Sequence, residues 1–339
     1  MQSPAVHRGV LEIKVSNAMH EALKKARNIA SMQKTANSYI MIAGPTASGK
    51  SQLAIDLAHA LNGEVINADA MQMYADLSIL TARPSDKDMN DIPHHLYGII
   101  DGSHRASVAG WLRLAAQSMA GIRARGRVPI LIGGTGMYLD AAINGIAPIP
   151  DVPAEIHNDA EKLYIDIGGA AFRQNLAILD PLTAARLVDG DRQRLIRAMG
   201  VLRATGKPLS KWQATPHEGA LVGNPIKLAM LPPREILYQC IDDRFDVMLR
   251  AGALDEVCRL AKRQLDPTLP MMKAIGVKAL KSFLDGELTL SEAGYIGKRD
   301  SRHYAKRQMT WLRNNYNAQI TINTKLSKSL MEKIFSLIC

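Results

Sequence analysis

Cysteine is scarce: three among 339 residues, Cys240, Cys258 and Cys339, widely spaced and with no C-x-x-C pair. That speaks against a zinc ribbon and a disulfide framework, and fits a reducing compartment. No stretch approaches the ~18–20 consecutive apolar residues of a membrane span, so no membrane partner is expected. Internal repeats and low-complexity tracts are missing as well. Residues 1–37 lack the apolar h-region and small-residue cleavage site of a secretory signal. Within them "NAMHEALKKARNIASMQK" could form a basic amphipathic helix; a poorly ordered extension, or an upstream start that is not used, is expected there. No Cys/His cluster follows "TWLRNN" near the C-terminus. A cytoplasmic monomer is the expectation.

Positive charge is in excess. Lys and Arg number 42 against 32 Asp and Glu, a net charge of +10. That points to an acidic partner, nucleic acid first, although a basic surface without a specific partner gives the same balance. The hydrophobic fraction of 47% is ordinary. The length allows one large domain and a smaller one.

The clearest motif lies in "YIMIAGPTASGKSQLAIDLAHAL", Tyr39 to Leu61. Gly44, Gly49, Lys50 and Ser51 meet the pattern G-x-x-x-x-G-K-[ST], and Pro45, Thr46, Ala47 and Ser48 complete the loop. "YIMIA" suits a buried strand, and Leu53, Leu57 and Leu61 form one helical stripe. Strand, glycine-rich loop and helix start aim backbone N–H groups and a helix dipole at phosphate oxygens. Lys50 adds a point charge, and Ser51 a hydroxyl for Mg²⁺. A chance match in a glycine turn is the plainer alternative, but the flanks agree with the motif. The loop binds a di- or triphosphate; it does not say what happens to it.

The remainder alternates strand and helix up to residue 150. A second short strand, Glu64 to Asn67, leads to Asp69. "HHLYGIID" is a possible strand, "SVAGWLRLAAQSMAGIRARG" a helix ending at Gly126, and "VPILIGGTGMYLDAAINGI" a strand, a glycine turn and a helix. This order predicts a parallel, doubly wound α/β sheet. The phosphate loop, Asp69 and the Gly133–Gly136 turn all fall at strand C-terminal ends, where such sheets gather ligands. "PIPDVP", Pro148 to Pro153, marks a boundary. Residues 151–215 read as helices only, with Arg192, Arg194, Arg197 and Arg203 crowded on one of them. "IKLAMLP", Ile226 to Pro232, looks like a returning strand. The expected layout is therefore a P-loop α/β core over 38–150 and 216–339, its parallel sheet flanked by helices, with an all-helical insertion over 151–215. Between Tyr295 and Arg313 six basic residues face one acid. Lys298, Arg302 and Lys306 lie at i, i+4 and i+8, on one face. With Tyr295, Tyr304 and Trp311 between them, this helix could track a phosphate backbone and stack on bases, or it could be a solvated face with aromatics in the core.

A P-loop hydrolase adds a strand ending in a Mg²⁺-binding acid, but the second apolar strand ends in glycines and Thr135. The acid at a strand end is Asp69, better placed to take a proton from an acceptor beside a bound phosphate ester. From the residues alone, a phosphate-dependent transferase with a nucleic-acid-sized basic surface is the reading.

Several motifs occur together in order: "GPTASGKSQLAIDLA", "INADAMQMYADL", "TARPS", "GRVPILIGGTGMYLDAAINGI", "DRQRLIRAMGVLRATGKPLSKWQ", "MMKAIGVKAL" and "AKRQMTWLR". From about Ile40 to Arg313 the chain resembles the bacterial tRNA isopentenyltransferase family. The resemblance implies transfer of a dimethylallyl group from dimethylallyl diphosphate to N6 of the adenosine just 3′ of the anticodon, with Mg²⁺ assisting and pyrophosphate leaving. Gly44 to Ser51 would grip the diphosphate, with Ser51 toward the metal. Asp69 matches the family's base, Thr135 a threonine near the reacting groups, and Arg234 an arginine neutralising the leaving group. Residues matching tRNA-contacting segments are Asp69, Ala70, Met71 and Gln72; Gln193, Arg194, Leu195, Ile196 and Arg197; and Lys273, Ala274, Ile275, Gly276, Val277 and Lys278. His157 stands where some members carry a basic residue. The expected partner is the anticodon stem-loop.

Each assignment has a plainer counterpart. Asp69 could be a helix N-cap before "AMQMY", Thr135 a turn residue, Arg234 a surface ion-pair partner, and Arg194 and Arg197 solvated charges. The chain departs from the family at Ala70 (commonly serine), Cys240 (arginine expected) and Val277 (commonly aromatic). A prenyltransferase of free AMP or ADP, a small-molecule kinase or NTPase, and an RNA-binding module with a residual nucleotide site share part of the pattern.

Overall fold

The computed structural model describes residues 37–324 and residue 334. The extension and possible amphipathic helix expected over residues 1–37 lie, but for Asn37, outside the described residues.

The first unit comprises residues up to Ile143 and from Leu221 onward. Its centre is strand β1, Tyr39–Ala43, every residue of which is buried. A strand covered on both faces must be apolar throughout, which is why "YIMIA" shows no alternation. The other strands are β2 (Gly63–Asn67), β3 (His94–His95), β4 (Val128–Gly133), β5 (Pro225–Met230) and β6 (Ile320–Ile322). All pair in parallel, in the order β3-β2-β4-β1-β5-β6. Helix α1, Lys50–Leu61, buries Leu53, Ala54, Leu57 and Ala58 against Ile40, Ile42, Val65 and Ile130 of the sheet. It stops at Asn62, which takes a left-handed conformation and returns its N–H to the Ala58 carbonyl. Helix α2, Val108–Ala124, starts on the Ser107 side chain, which accepts from Gly110 N, and Gly126 follows its end at φ +68°. Helix α3, Gly136–Asn144, leaves the turn after β4.

Two expectations for the strands need correction. "HHLYGIID" contributes only His94 and His95 to the ladder, because Leu96 and Gly98 turn the backbone to φ +66° and +62°. β6 went unanticipated; three residues are too few for an alternation to register, and its partner β5 lies about ninety residues earlier.

The second unit, Asn144–Ala220, is helical and has its own core. Its long helix α4, Ala154–Leu179, is interrupted at Gly168 (φ 76°, ψ 163°), and α5 spans Arg192–Thr205. Phe172, Leu176, Leu195, Ile196 and Met199 fill the space between them.

Besides the short helix Asp86–Met89, the described part of the first unit includes α6 (Arg234–Arg250), α7 (Ala253–Lys262), α8 (Val277–Leu284) and α9 (Leu290–Asn315). Their core joins Phe245, Met248, Val257, Leu260 and Leu280 to Tyr74, Leu77 and Leu80 of the segment after β2. α6 and α9 approach closely at Gly297, where a Cβ would run into the Phe245 ring.

Candidate active site

Parallel registry brings three loops to one rim. β1, β2 and β4 end level with one another, and the loops continue the ladder: Gly44 N donates to Gly133 O at 3.2 Å and Ala68 N to Ile132 O at 2.7 Å. The approach is so tight that a Cβ at Gly133 would meet the Ala68 carbonyl, which is one physical reason "GGTG" begins with glycine. Between these loops and α6 lies a cleft of about 290 Å³. Thr46, Ala47, Ser48, Gly49, Lys50 and Ser51 line one side; Asp69, Gln72, Thr81, Ala82, Tyr97, Gly133, Cys240 and Arg244 complete it.

The loop is built for an anion. Ala47 and Gly49 adopt φ +63° and +87°, the left-handed turns from which anion-binding backbone nests are built. Ser48 Oγ is buried with no hydrogen-bond partner, a donor left for a ligand oxygen. Lys50 Nζ donates to Pro45 O at 3.2 Å. Burial pulls the Lys50 pKa down to about 8, against the upward pull of Asp69, while Arg244 adds to the depression. Burial lowers the Arg244 pKa too, with Asp69 opposing. Two cations held out of water beside one carboxylate leave a positive field, suited to a diphosphate.

One expectation for the loop changes. The Thr46 N–H is already bonded to Gln308 Oε1 at 2.9 Å, and the Thr46 hydroxyl accepts from Arg244 Nη2. Thr46 therefore anchors the loop through its amide instead of offering that N–H to phosphate.

Asp69 is half-buried. Its own N–H donates to Asn67 Oδ1 (2.8 Å), and its Oδ1 accepts from Met71 N (2.9 Å). Asn67 is fully buried; its side-chain amide donates to Asp69 O and Leu96 O, and its backbone carbonyl accepts from Trp111 Nε1 at 2.8 Å. The bond to Met71 N closes a local turn ahead of the one-turn helix Met71–Met73, whose N-cap is Ala70; only one carboxylate oxygen of Asp69 is used so, and Oδ2 accepts nothing among the described residues. Thr135 Oγ1 accepts from Ala70 N at 3.2 Å, and the Tyr304 hydroxyl of α9 lies beside it; burial, with Asp69 nearby, raises the Tyr304 pKa far above its usual value. The Gln72 side chain donates to Thr81 O and Ala82 O, fixing the opposite wall.

Arg234 is placed elsewhere. It opens α6, is exposed, and rests its guanidinium 4.9 Å from the Tyr238 ring centre, outside the residues lining the cleft. The guanidinium in the cleft is that of Arg244, almost three helical turns further on. The only sequence signal was spacing: residues 237, 241 and 244 share one face of α6, and Leu237 and Ile241 are buried. Cys240 lines the cleft as well.

Among the described residues, no group of three or more His, Cys, Asp or Glu side chains could hold a metal alone. Ser51 and Asp69 on one cleft fit a Mg²⁺ that keeps waters and takes its other oxygens from a diphosphate.

The segments expected to touch RNA are placed in parts. Lys273, Ala274, Ile275, Gly276, Val277 and Lys278 line a groove of about 830 Å³ with Arg299, His303 and Arg307 of α9. Ala274 and Val277 are themselves 6% and 2% exposed, so Lys273 and Lys278 are the outward groups. In the second unit, Gln193, Arg194 and Arg197 face solvent, whereas Leu195 and Ile196 are core residues at 0% and 3% exposure; a helical stretch cannot present five consecutive side chains to one partner. Arg194 is ion-paired with Asp191 at 3.1 Å. His157 is exposed on α4. The stripe on α9 also divides: Lys298 bonds Asp246 (2.8 Å) and Arg302 bonds Asp242 through both oxygens (2.6 and 2.7 Å), stapling α9 to α6. Of the three, Lys306 alone is exposed.

The chain matches known proteins over most of its length. Residues 72–315 match the family model described as IPP transferase, and residues 37–99 that described as isopentenyl transferase. The chain is similar to the tRNA dimethylallyltransferase of Rhodopseudomonas palustris, 51% identical over 276 residues, covering 81% of this chain and 86% of the relative. It is also similar to that of Parvibaculum lavamentivorans, 46% identical, covering 88% and 95%. Among solved structures, the full-length tRNA isopentenylpyrophosphate transferase of Bacillus halodurans superposes with a TM-score of 0.63 at 34% identity, covering 89% of this chain and 97% of that one. A eukaryotic dimethylallyltransferase acting on tRNA gives a TM-score of 0.74 at 29% identity, covering 86% and 75%.

Proposed function

This chain belongs to the tRNA dimethylallyltransferase family, a family of tRNA-modifying transferases, and we propose that it transfers a dimethylallyl group from dimethylallyl diphosphate to N6 of the adenosine just 3′ of the anticodon. The observation that carries the assignment is one cleft lined together by the phosphate loop with Lys50, by Arg244 and by Asp69, whose second carboxylate oxygen takes no bond among the described residues.

The chemistry follows from that arrangement. An adenine amine is a poor nucleophile, because its lone pair is delocalised into the ring. Asp69 Oδ2 accepts a hydrogen bond from this N–H₂ and takes its proton as the new C–N bond forms, while the Met71 N–H fixes the carboxylate through Oδ1. The C–O bond to the diphosphate breaks, and the growing negative charge falls on oxygens facing Lys50, Arg244, the amides of residues 47 and 49–51 and the Ser48 hydroxyl. Mg²⁺, held by Ser51 and the diphosphate, would supply further charge neutralisation. The phosphate loop thus serves a leaving group, not a nucleotide being hydrolysed. Thr135 orients the base side through Ala70. An adenine stacked in a loop cannot reach this cleft, so it enters flipped. The groove bearing Lys273, Lys278 and Arg307 and the outward arginines of α5 supply phosphate contacts for the anticodon stem-loop.

The test is a transfer assay with labelled dimethylallyl diphosphate, Mg²⁺ and, in parallel, unmodified tRNA, AMP or ATP alone. Label in tRNA supports the proposal. Label in AMP, or ATP hydrolysis without transfer, overturns it.

A further inference from the structure

Gln308 is the residue whose position the reaction above leaves unexplained. It lies on α9, 5% exposed, a polar side chain held in the core at the end of a 262-residue sequence separation from its partner. Both ends of its amide are used. Oε1 accepts from Thr46 N at 2.9 Å, and Nε2 donates to Gly134 O at 2.8 Å. One side chain therefore ties the loop that grips the diphosphate to the loop that carries Thr135. A Cβ at Gly134 would overlap the Gln308 amide, so the glycine is required for this contact. One helical turn earlier on α9, the Tyr304 hydroxyl lies beside the Thr135 side chain, and Thr135 in turn accepts from Ala70, next to Asp69.

We propose that Gln308 is a positioning residue: it sets the separation between the leaving diphosphate and the Thr135–Asp69 side of the cleft, with the Tyr304 hydroxyl beside Thr135 completing that side. The inference rests on the prenyl-transfer reading and deepens it. In-line displacement is sensitive to misplacement of the reacting atoms by ~1 Å, which can cost on the order of 100-fold. The two hydrogen bonds of Gln308 are the direct side-chain link between these loops among the described residues. A glutamine suits the task because one planar group offers an acceptor to an amide and a donor to a carbonyl at fixed spacing, whereas a carboxylate offers only acceptors. The Thr46 N–H and the Gly134 carbonyl would otherwise each be left unpaired in a buried position.

The experiment compares wild type with Gln308→Leu, Gln308→Glu and Tyr304→Phe. It measures single-turnover transfer to tRNA, tRNA dissociation constants, magnesium pyrophosphate affinity and thermal midpoints. Wild-type transfer to tRNA tests the underlying reading independently of the variants. The expected result is a fall in single-turnover rate of about 30- to 100-fold for Gln308→Leu, with tRNA affinity within about twofold. Gln308→Glu keeps the acceptor for Thr46 N but loses the donor, so pyrophosphate affinity falls less than in Gln308→Leu while the transfer rate stays low. Tyr304→Phe lowers the rate and leaves pyrophosphate affinity unchanged. The inference is overturned if the folded variants transfer within about threefold of wild type, or if rate, tRNA affinity and pyrophosphate affinity all fall together, as general loosening would produce. Should Gln308→Leu fail to fold, Gln308→Glu and Tyr304→Phe decide by the same criteria.

Discussion

At the scale of single residues, the cleft works by assigning each polar atom one partner and leaving a few for substrate. Asp69 shows the division most directly: Oδ1 is used by the fold, and Oδ2 is the oxygen the proposed reaction uses. Asp69→Asn is expected to lower turnover by about 100- to 10,000-fold with tRNA affinity retained within about threefold, measured by single-turnover transfer and filter binding; undiminished turnover removes Asp69 as the base. Lys50 adds a pH dependence. Its pKa is held down to about 8, so the free protein loses this charge as pH rises through that value. Magnesium pyrophosphate should bind more weakly at pH 9 than at pH 7, by up to about tenfold from this group, and Lys50→Arg, which stays charged, should remove that component in a calorimetric titration. Arg244 is the guanidinium of the cleft, and Arg244→Gln should raise the KM for dimethylallyl diphosphate by about tenfold or more while sparing tRNA affinity. Asp69 and Lys50 were legible from the sequence because each follows a strand and sits in a recognisable string. Arg244 was not, since one arginine among several on α6 carries no local mark of facing inward.

At the scale of elements, α9 does more than its charge suggested. Its regular cations read as a phosphate-tracking stripe, but Lys298 and Arg302 direct their charge to Asp246 and Asp242 of α6. Helical periodicity reveals which residues share a face; it is silent on what lies opposite that face. The difference is measurable. Neutralising Lys298 and Arg302 together should cost on the order of 1 kcal/mol in urea unfolding and leave the salt dependence of tRNA binding unchanged. Neutralising Lys273, Lys278 and Arg307, which line the open groove, should flatten the slope of log K against log salt by roughly 0.7–0.9 for each RNA phosphate left without its cation. An unaltered slope in the second set returns that groove to an ordinary basic surface. The inward side of α9, with Tyr304 and Gln308, meets the cleft loops, so one helix carries groove-lining cations and loop-positioning groups on different faces.

At the scale of the molecule, the sheet needs support at the end remote from the cleft. Glu64, near the start of β2, is 1% exposed and takes bonds from Arg125 (3.0 and 2.6 Å), Arg127 (3.2 Å) and His95 (2.6 Å). The Arg125 hydrogen bonds hold its carboxyl down to about 2, against burial. A carboxyl depressed in the folded state contributes stability that is fully present above its unfolded pKa of ~4.3 and is lost as pH falls toward its folded value. Wild type should therefore lose stability steeply between about pH 4.3 and 2. Glu64→Gln should be destabilised at neutral pH by about 1–3 kcal/mol and show a shallower acid limb in urea midpoints measured against pH; equal slopes would discount the cluster. The excess of ten positive charges acts at this same scale, on encounter with RNA and not on the fold.

What the sequence determined by itself was the local chemistry. The phosphate loop, the strand-end aspartate, the glycine turn and the alternation of strand and helix are all written in short strings, because strand burial, helix dipoles and left-handed turns depend on near neighbours. The helical nature of the segment after "PIPDVP" was legible for the same reason; its contacts bound it at Asn144–Ala220. What only the tertiary structure decided was which long-range partners complete those strings. Thr46 gives its amide to a glutamine near the far end of the chain, two of the stripe's cations are consumed by α6, Leu195 and Ile196 turn inward, and Arg244 rather than Arg234 lines the cleft. These outcomes depend on packing between residues tens to hundreds of positions apart, where a side chain's direction is set by the neighbour it meets and not by the letters beside it.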